Sequence, residues 1–192
     1  MNVHARFCLV GSVVLFVAGC RIAPPLDPFY EAVLRTQPAH PGALYLQGQR
    51  MIEAGRFREA ESYFNRMTRS APRDPAGWIG LGHAQLERNR ARQAERSFRQ
   101  AMVLEAIPRA HIGLTSALLI QGKLPAAEAE LDLYEQSHGT SASSMRLRGD
   151  LAFIENRFEQ AAQHYQASLA LDPNQPAVRD RLRDLERLLT AR

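Results

Sequence analysis

The run Trp78-Ile79-Gly80-Leu81-Gly82 decides how the rest of the chain reads, because it returns 33 residues later as His111-Ile112-Gly113-Leu114-Thr115. Extending that register both ways places Gly48, Gly82, Thr115 and Gly149 in one column, and Gly55, Asn89, Gly122 and Asn156 in a second. Ala60, Ala94, Ala127 and Ala161 form a third, and Phe64, Phe98, Leu131 and Tyr165 a fourth. A fixed period of this length marks a chain built from one supersecondary unit, repeated so that each copy buries its apolar face against the next.

Within each period the residues read as helix, turn, helix. Ala60 and Phe64 lie four apart and share a face of the second helix, while a small residue at Gly48 or Gly82 lets the first helix come close. Asn89 and Asn156 can replace Gly55 and Gly122, because Asn tolerates the left-handed conformation that ends a helix. Pro41, Pro75, Pro108 and Pro176 then open the following helices, where a missing N–H costs little. Composition agrees: Ala, Leu, Glu, Gln and Arg dominate and aromatics are only 7%, so an all-α chain is expected.

The columns resemble the tetratricopeptide repeat. Its order of bulky residue, Leu-Gly, Ala, aromatic and Ala is matched best by Trp78, Leu81, Gly82, Ala94, Phe98 and Ala101. Pro72 and Pro173 stand in the closing column of the first and fourth repeats, with Pro108 two residues beyond it in the second. The third repeat departs most, with His111, Thr115, Tyr134 and Gly139 replacing the usual types. The resemblance implies a right-handed α-α superhelix of four hairpins, 41–74, 75–107, 108–141 and 142–175. A half repeat, 28–38, precedes them, and a capping helix, 176–190, follows, with Val178, Leu182, Leu185 and Leu189 on one face. Ten helices are expected.

Tetratricopeptide repeats are interaction scaffolds, and the resemblance implies that the first helix of each pair lines a concave groove. Three columns on those helices are not required by the packing pattern. They are Tyr45, Ile79, Ile112 and Arg146; then Gln49, His83, Ser116 and Asp150; then Ile52, Leu86, Leu119 and Phe153. Spacings of four and three put each set on one stripe. Tyr45, Ile79 and Ile112 are expected to be partly exposed, giving an apolar strip. Ile52, Leu86, Leu119 and Phe153 either continue it or are buried between hairpins. The carboxylate-clamping members of the family use Lys and Asn where Tyr45 and Gln49 stand here, so a hydrophobic or amphipathic protein segment is the expected ligand.

No chemistry is expected. The histidines, at 4, 40, 83, 111, 138 and 164, lack the spacing of a helical metal pair, and His111 in its packing column reads as a satisfied core residue. Nucleophile elbows, phosphate loops and dinucleotide fingerprints are absent from the sequence. The expectation is therefore no enzyme, no metal, no cofactor and no nucleic-acid partner.

The N-terminus reads as an address. Phe7 to Ala18 is an apolar run too short to span a bilayer, which needs about 20 residues, and it suits a secretory signal. Val17-Ala18-Gly19-Cys20 resembles the bacterial lipobox, which implies a signal peptide over 1–19 and a mature chain beginning at a lipidated Cys20. A short tether would complete residues 20–27. Each buried acyl methylene contributes about 0.8 kcal/mol, so two or three chains would anchor the protein firmly. Because Arg21 rather than Asp follows Cys20, the resemblance implies the periplasmic face of the outer membrane.

Exported lipoproteins with such repeats resemble TadD-type factors of Tad pilus systems and the pilotins that escort type IV pilus secretins, which makes a pilus or secretin component the expected partner. An adaptor recruiting peptidoglycan-remodelling enzymes is the alternative. The net charge is +4, and among 24 basic residues only Lys123 is lysine. Arg88, Arg90, Arg92, Arg96 and Arg99 crowd the second hairpin turn, either as a solvated face or as a surface for phosphates, anionic headgroups or an acidic partner.

Overall fold

The computed structural model describes residues 28–190, which form ten α-helices and, among the described residues, no strand. Cys20, the signal segment and the tether lie outside the described residues. Helix α1 spans Pro28–Thr36. Four hairpins follow: α2 (Pro41–Glu53) with α3 (Phe57–Ser70), α4 (Pro75–Glu87) with α5 (Ala91–Leu104), α6 (Pro108–Ile120) with α7 (Leu124–His138), and α8 (Ala142–Ile154) with α9 (Phe158–Leu171). Helix α10, Pro176–Thr190, ends the stack. Each helix packs on the next, and α2, α4, α6 and α8 also pack on one another in order, so they form one wall of an α-solenoid.

The hairpin turns are built alike. The backbone N–H of Arg56, Arg90, Lys123 and Arg157 each donates to the carbonyl five residues back, at 2.7 to 3.0 Å. The residue before each of them, Gly55, Asn89, Gly122 or Asn156, has φ between 57° and 71°. Asn therefore fills the left-handed position wherever Gly does not, as its column indicates. At the opposite edge the helix starts are capped in different ways. Asp74 accepts from the Ala76 N–H at 2.9 Å, His40 from the Ala43 N–H at 3.2 Å, and Ser141 forms a reciprocal capping box with Ser144.

Stacking follows from a large side chain set between two small ones. Phe64 and Phe98 are fully buried. A Cβ on Gly48 would lie 2.6 Å from the Phe64 ring and one on Gly82 2.7 Å from the Phe98 ring, within the same hairpins. From the next hairpin, Gly80 faces Phe64 and Gly113 faces Phe98 even more closely. Burial of each such ring contributes about 1.5–3 kcal/mol, and the absent side chains are what allow it. In the third repeat the volumes shift. Leu131 replaces Phe, the neighbouring columns hold Thr115 and Leu147, and Leu131 and Leu147 share one buried cluster. In the fourth, Tyr165 fills the gap left by Gly149 and shares Asp150 with Arg181 of α10.

Ion pairs tie one hairpin to the next along the other wall. Buried Glu61 of α3 pairs with Arg88 and with Arg90, the latter at 3.2 Å. Buried Glu95, its counterpart one repeat later, accepts from Lys123 at 2.8 Å and Gln121 at 2.7 Å and pairs with Arg99. Burial pushes the Glu95 carboxyl up, but the hydrogen bonds from Lys123 and Gln121 and the charges of Arg99 and Lys123 outweigh it and hold it below its ordinary range. Much of the arginine crowd at the second turn therefore binds within the fold. His111 is buried against Glu130, 2.5 Å away, as a core residue with a partner.

Candidate functional site

The wall formed by α2, α4, α6 and α8 carries all twelve residues singled out for the groove, and it divides into two parts. Near its start, Tyr45, Gln49 and Ile79 border a small cavity of about 140 Å³ together with Ile107 and Arg109. Towards its end, Ser116, Leu119, Arg146, Asp150 and Phe153 border a much larger one of about 600 Å³, closed on its far side by α10. Ile52, His83, Leu86 and Ile112 line neither; all four are half-buried.

The expected exposed strip holds only in part. Tyr45 and Ile112 are half-buried, but Ile79 is 6% exposed and belongs to the core with Phe98, Ala110 and Leu114. Small residues at Ala110 and Gly113 bring α6 close enough to cover it. The third column splits as well. Leu119 is buried, Ile52 and Leu86 are half-buried, and Phe153 is 48% exposed.

The large cavity has a lining that the three columns missed. Ile120, Ile154 and Leu188 border it at 56%, 45% and 44% exposure, and each is 34 residues from the next. They continue a column that begins with the exposed acids Glu53 and Glu87, one residue beyond the set containing Phe153. Comparing that column across repeats would have revealed the change from acid to aliphatic. With Phe153 these residues form an exposed apolar ridge around the cavity, carried by α6, α8 and α10, whereas such groups are ordinarily placed singly on a surface.

The polar residues of the groove are largely engaged already. Gln49 Nε2 donates to Tyr45 Oη at 2.9 Å, and Ser116 Oγ donates to the Ile112 carbonyl at 2.9 Å, each reaching back one helical turn. Asp150 accepts from Arg146 at 2.9 Å, from Tyr165 Oη at 2.8 Å and from Arg181. Burial, followed by the charge of Asp150, pushes the Tyr165 hydroxyl well above its usual pKa, so it remains a donor. His83 stacks edge-on to Phe98, with ring centroids 5.2 Å apart, and its pKa is lowered to about 4 by burial and then by the charge of Arg109. It is neutral near pH 7. What this wall offers a partner is mainly apolar contact, and among the described residues no cluster of His, Cys, Asp or Glu is placed to hold a metal ion. No described helix is long and apolar enough to cross a membrane.

Comparison with known proteins accords with this architecture. A sequence model described as tetratricopeptide repeat matches residues 51–102, and a second of the same description matches 79–142 and 137–176. Among solved structures, the hetero-tetramer Cut9–Hcn1 of the APC/C aligns at a TM-score of 0.75 and 18% identity over 83% of this chain, which spans only 32% of that chain. PilF of Pseudomonas aeruginosa aligns at a TM-score of 0.62 and 20% identity, covering 81% of this chain and 71% of its own. PilW, described as a widely conserved type IV pilus biogenesis factor, gives 0.68 and 14%, covering 77% and 69%. At these identities the likeness is one of fold. No curated protein sequence matches the chain.

Proposed function

Since the chain belongs to the tetratricopeptide repeat family, whose members are protein-interaction scaffolds, we propose that it is a non-enzymatic adaptor holding an apolar or amphipathic segment of another protein against α6, α8 and α10. The observation that carries this reading is the ridge of Ile120, Phe153, Ile154 and Leu188 around a groove of about 600 Å³. Apolar anchors in a groove supply most of the affinity of a helix or extended segment, and the polar groups beside them are already satisfied internally.

The proposal extends to where the adaptor works. The lipobox resemblance at Val17-Ala18-Gly19-Cys20 supports an acylated N-terminus at the periplasmic face of the outer membrane. Assembly of a pilus or its secretin is the favoured setting, in keeping with the likeness in fold to PilW, a type IV pilus biogenesis factor. A Phe153→Asp, Ile154→Asp double variant tests the groove in the full chain. Loss of a co-purifying pilus or secretin component supports the reading. Loss of a cell-wall hydrolase or synthase instead would transfer the adaptor to peptidoglycan remodelling, and unchanged co-purification would remove the groove from the function.

A further inference from the structure

Ile120 belongs to two depressions at once. On one side it borders the apolar groove with Phe153 and Ile154. On the other it borders a hollow of about 380 Å³ at the turn between α4 and α5, formed with Asn89, Arg90, Arg92 and Gln93. Arg92 in turn lines a third depression, of about 510 Å³, with Arg96, Arg99, Lys123 and the buried Glu95. Shared residues thus join an apolar floor to a basic rim without a break.

The cations of that rim are not equivalent. Arg90 is committed to Glu61, and Arg99 and Lys123 to Glu95. Arg92 and Arg96 are exposed and enter no ion pair among the described residues. Two spare guanidinium groups therefore stand where a segment leaving the groove past Ile120 would pass. Around the groove itself the charged side chains are already paired, Asp150 with Arg146 and Arg181 and the exposed Asp184 with Arg187 at 3.4 Å, so the spare cations beside it are those of the rim. Exposed rim charges select partners and set association rates, whereas buried apolar anchors set residence time.

Resting on the groove reading above, we propose that the bound partner segment is apolar where it lies over Phe153 and Ile154 and acidic where it leaves past Ile120, so that Arg92 and Arg96 receive its carboxylates. Partner polarity follows: the acidic part lies towards the turn between α4 and α5, and the apolar part towards α10.

The test uses the full chain in its native membranes, with a photoreactive residue placed at Phe153 in one variant and at Arg92 in another, and the crosslinks mapped by mass spectrometry. The expected result is one partner segment captured from both positions, with Asp or Glu within about four residues of the point joined at 92. That segment is then synthesised as a peptide. Its affinity should fall about fivefold or more in an Arg92→Glu, Arg96→Glu variant, the loss shrinking in high salt, while Arg92→Lys, Arg96→Lys retains it. Capture at 153 with no capture at 92, or capture at 92 of a segment lacking acids, overturns the inference and leaves the groove standing. Capture of a second copy of this chain, or of its own residues 1–27, also overturns it. Absence of any capture at 153 defeats the groove reading itself.

Discussion

Gly113 of α6 lies directly against the ring of Phe98 on α5, so that a Cβ at 113 would overlap Cε1 and Cζ of the ring. The close approach of two successive hairpins depends on that missing methyl. Gly113→Ala gains up to about 1 kcal/mol of helix propensity but forces a fully buried ring out of its place, which costs about 1–3 kcal/mol. Net destabilisation is expected, measured as a lower urea midpoint with an unchanged slope.

Gln47 is fully buried, and both its Nε2 and its Oε1 lack a hydrogen-bond partner among the described residues. Its register mates are Leu81, Leu114 and Arg148, and Arg148 escapes the same predicament by bonding Asp132 at 2.5 Å and Glu135 at 2.8 Å. Replacing an unsatisfied amide by an aliphatic group of similar size removes its desolvation penalty, about 1–3 kcal/mol. Gln47→Leu should therefore raise the thermal midpoint.

His83 gives stability a pH dependence of known sign. Burial and then Arg109 lower its pKa from 6.5 to about 4, so the folded protein excludes a proton that the unfolded chain binds. Stability owed to neutral His83 is whole above pH 6.5, declines as pH falls towards 4, and changes no further below that. A shift of this size corresponds to about 3 kcal/mol. The difference in unfolding free energy between the wild-type chain and His83→Gln should therefore move by an amount of that order between pH 7 and pH 4. A difference that stays constant would show that His83 titrates normally.

Leu131 tests the volume balance of the third repeat. With Thr115 and Leu147 standing where Gly48 and Gly80 flank Phe64 and where Gly82 and Gly113 flank Phe98, the space that admits a Phe ring in those hairpins is taken up around Leu131. Leu131→Phe should destabilise by about 1–3 kcal/mol, and adding Leu147→Gly should recover part of that loss despite its helix cost of about 1 kcal/mol. Denaturant melts of the two variants give the comparison.

What could be read from the sequence was whatever repeats. The small-against-large columns of Gly82, Phe98 and Gly113, and the left-handed turns at Asn89 and Asn156, recur because every hairpin needs them. The burial of Ile79 was hidden because it depends on how closely α6 approaches, which is set by Ala110 and Gly113 one repeat away. The commitments of Arg88 and Arg90 were hidden for the same reason, since Glu61 belongs to the preceding repeat. The ridge of Ile120, Ile154 and Leu188 is a departure from the repeat, acid giving way to aliphatic in one column. A search for sameness passes over such a change.

The most direct measurement compares photocrosslinking from Ile154 with that from Val103. Val103 is 80% exposed, against 45% for Ile154, but it lies on α5 outside the groove. If the ridge is the docking surface, a photoreactive residue at 154 captures one discrete protein and the same residue at 103 captures none. Equal capture at both positions, or capture at 103 alone, would contradict a partner seated against α6, α8 and α10.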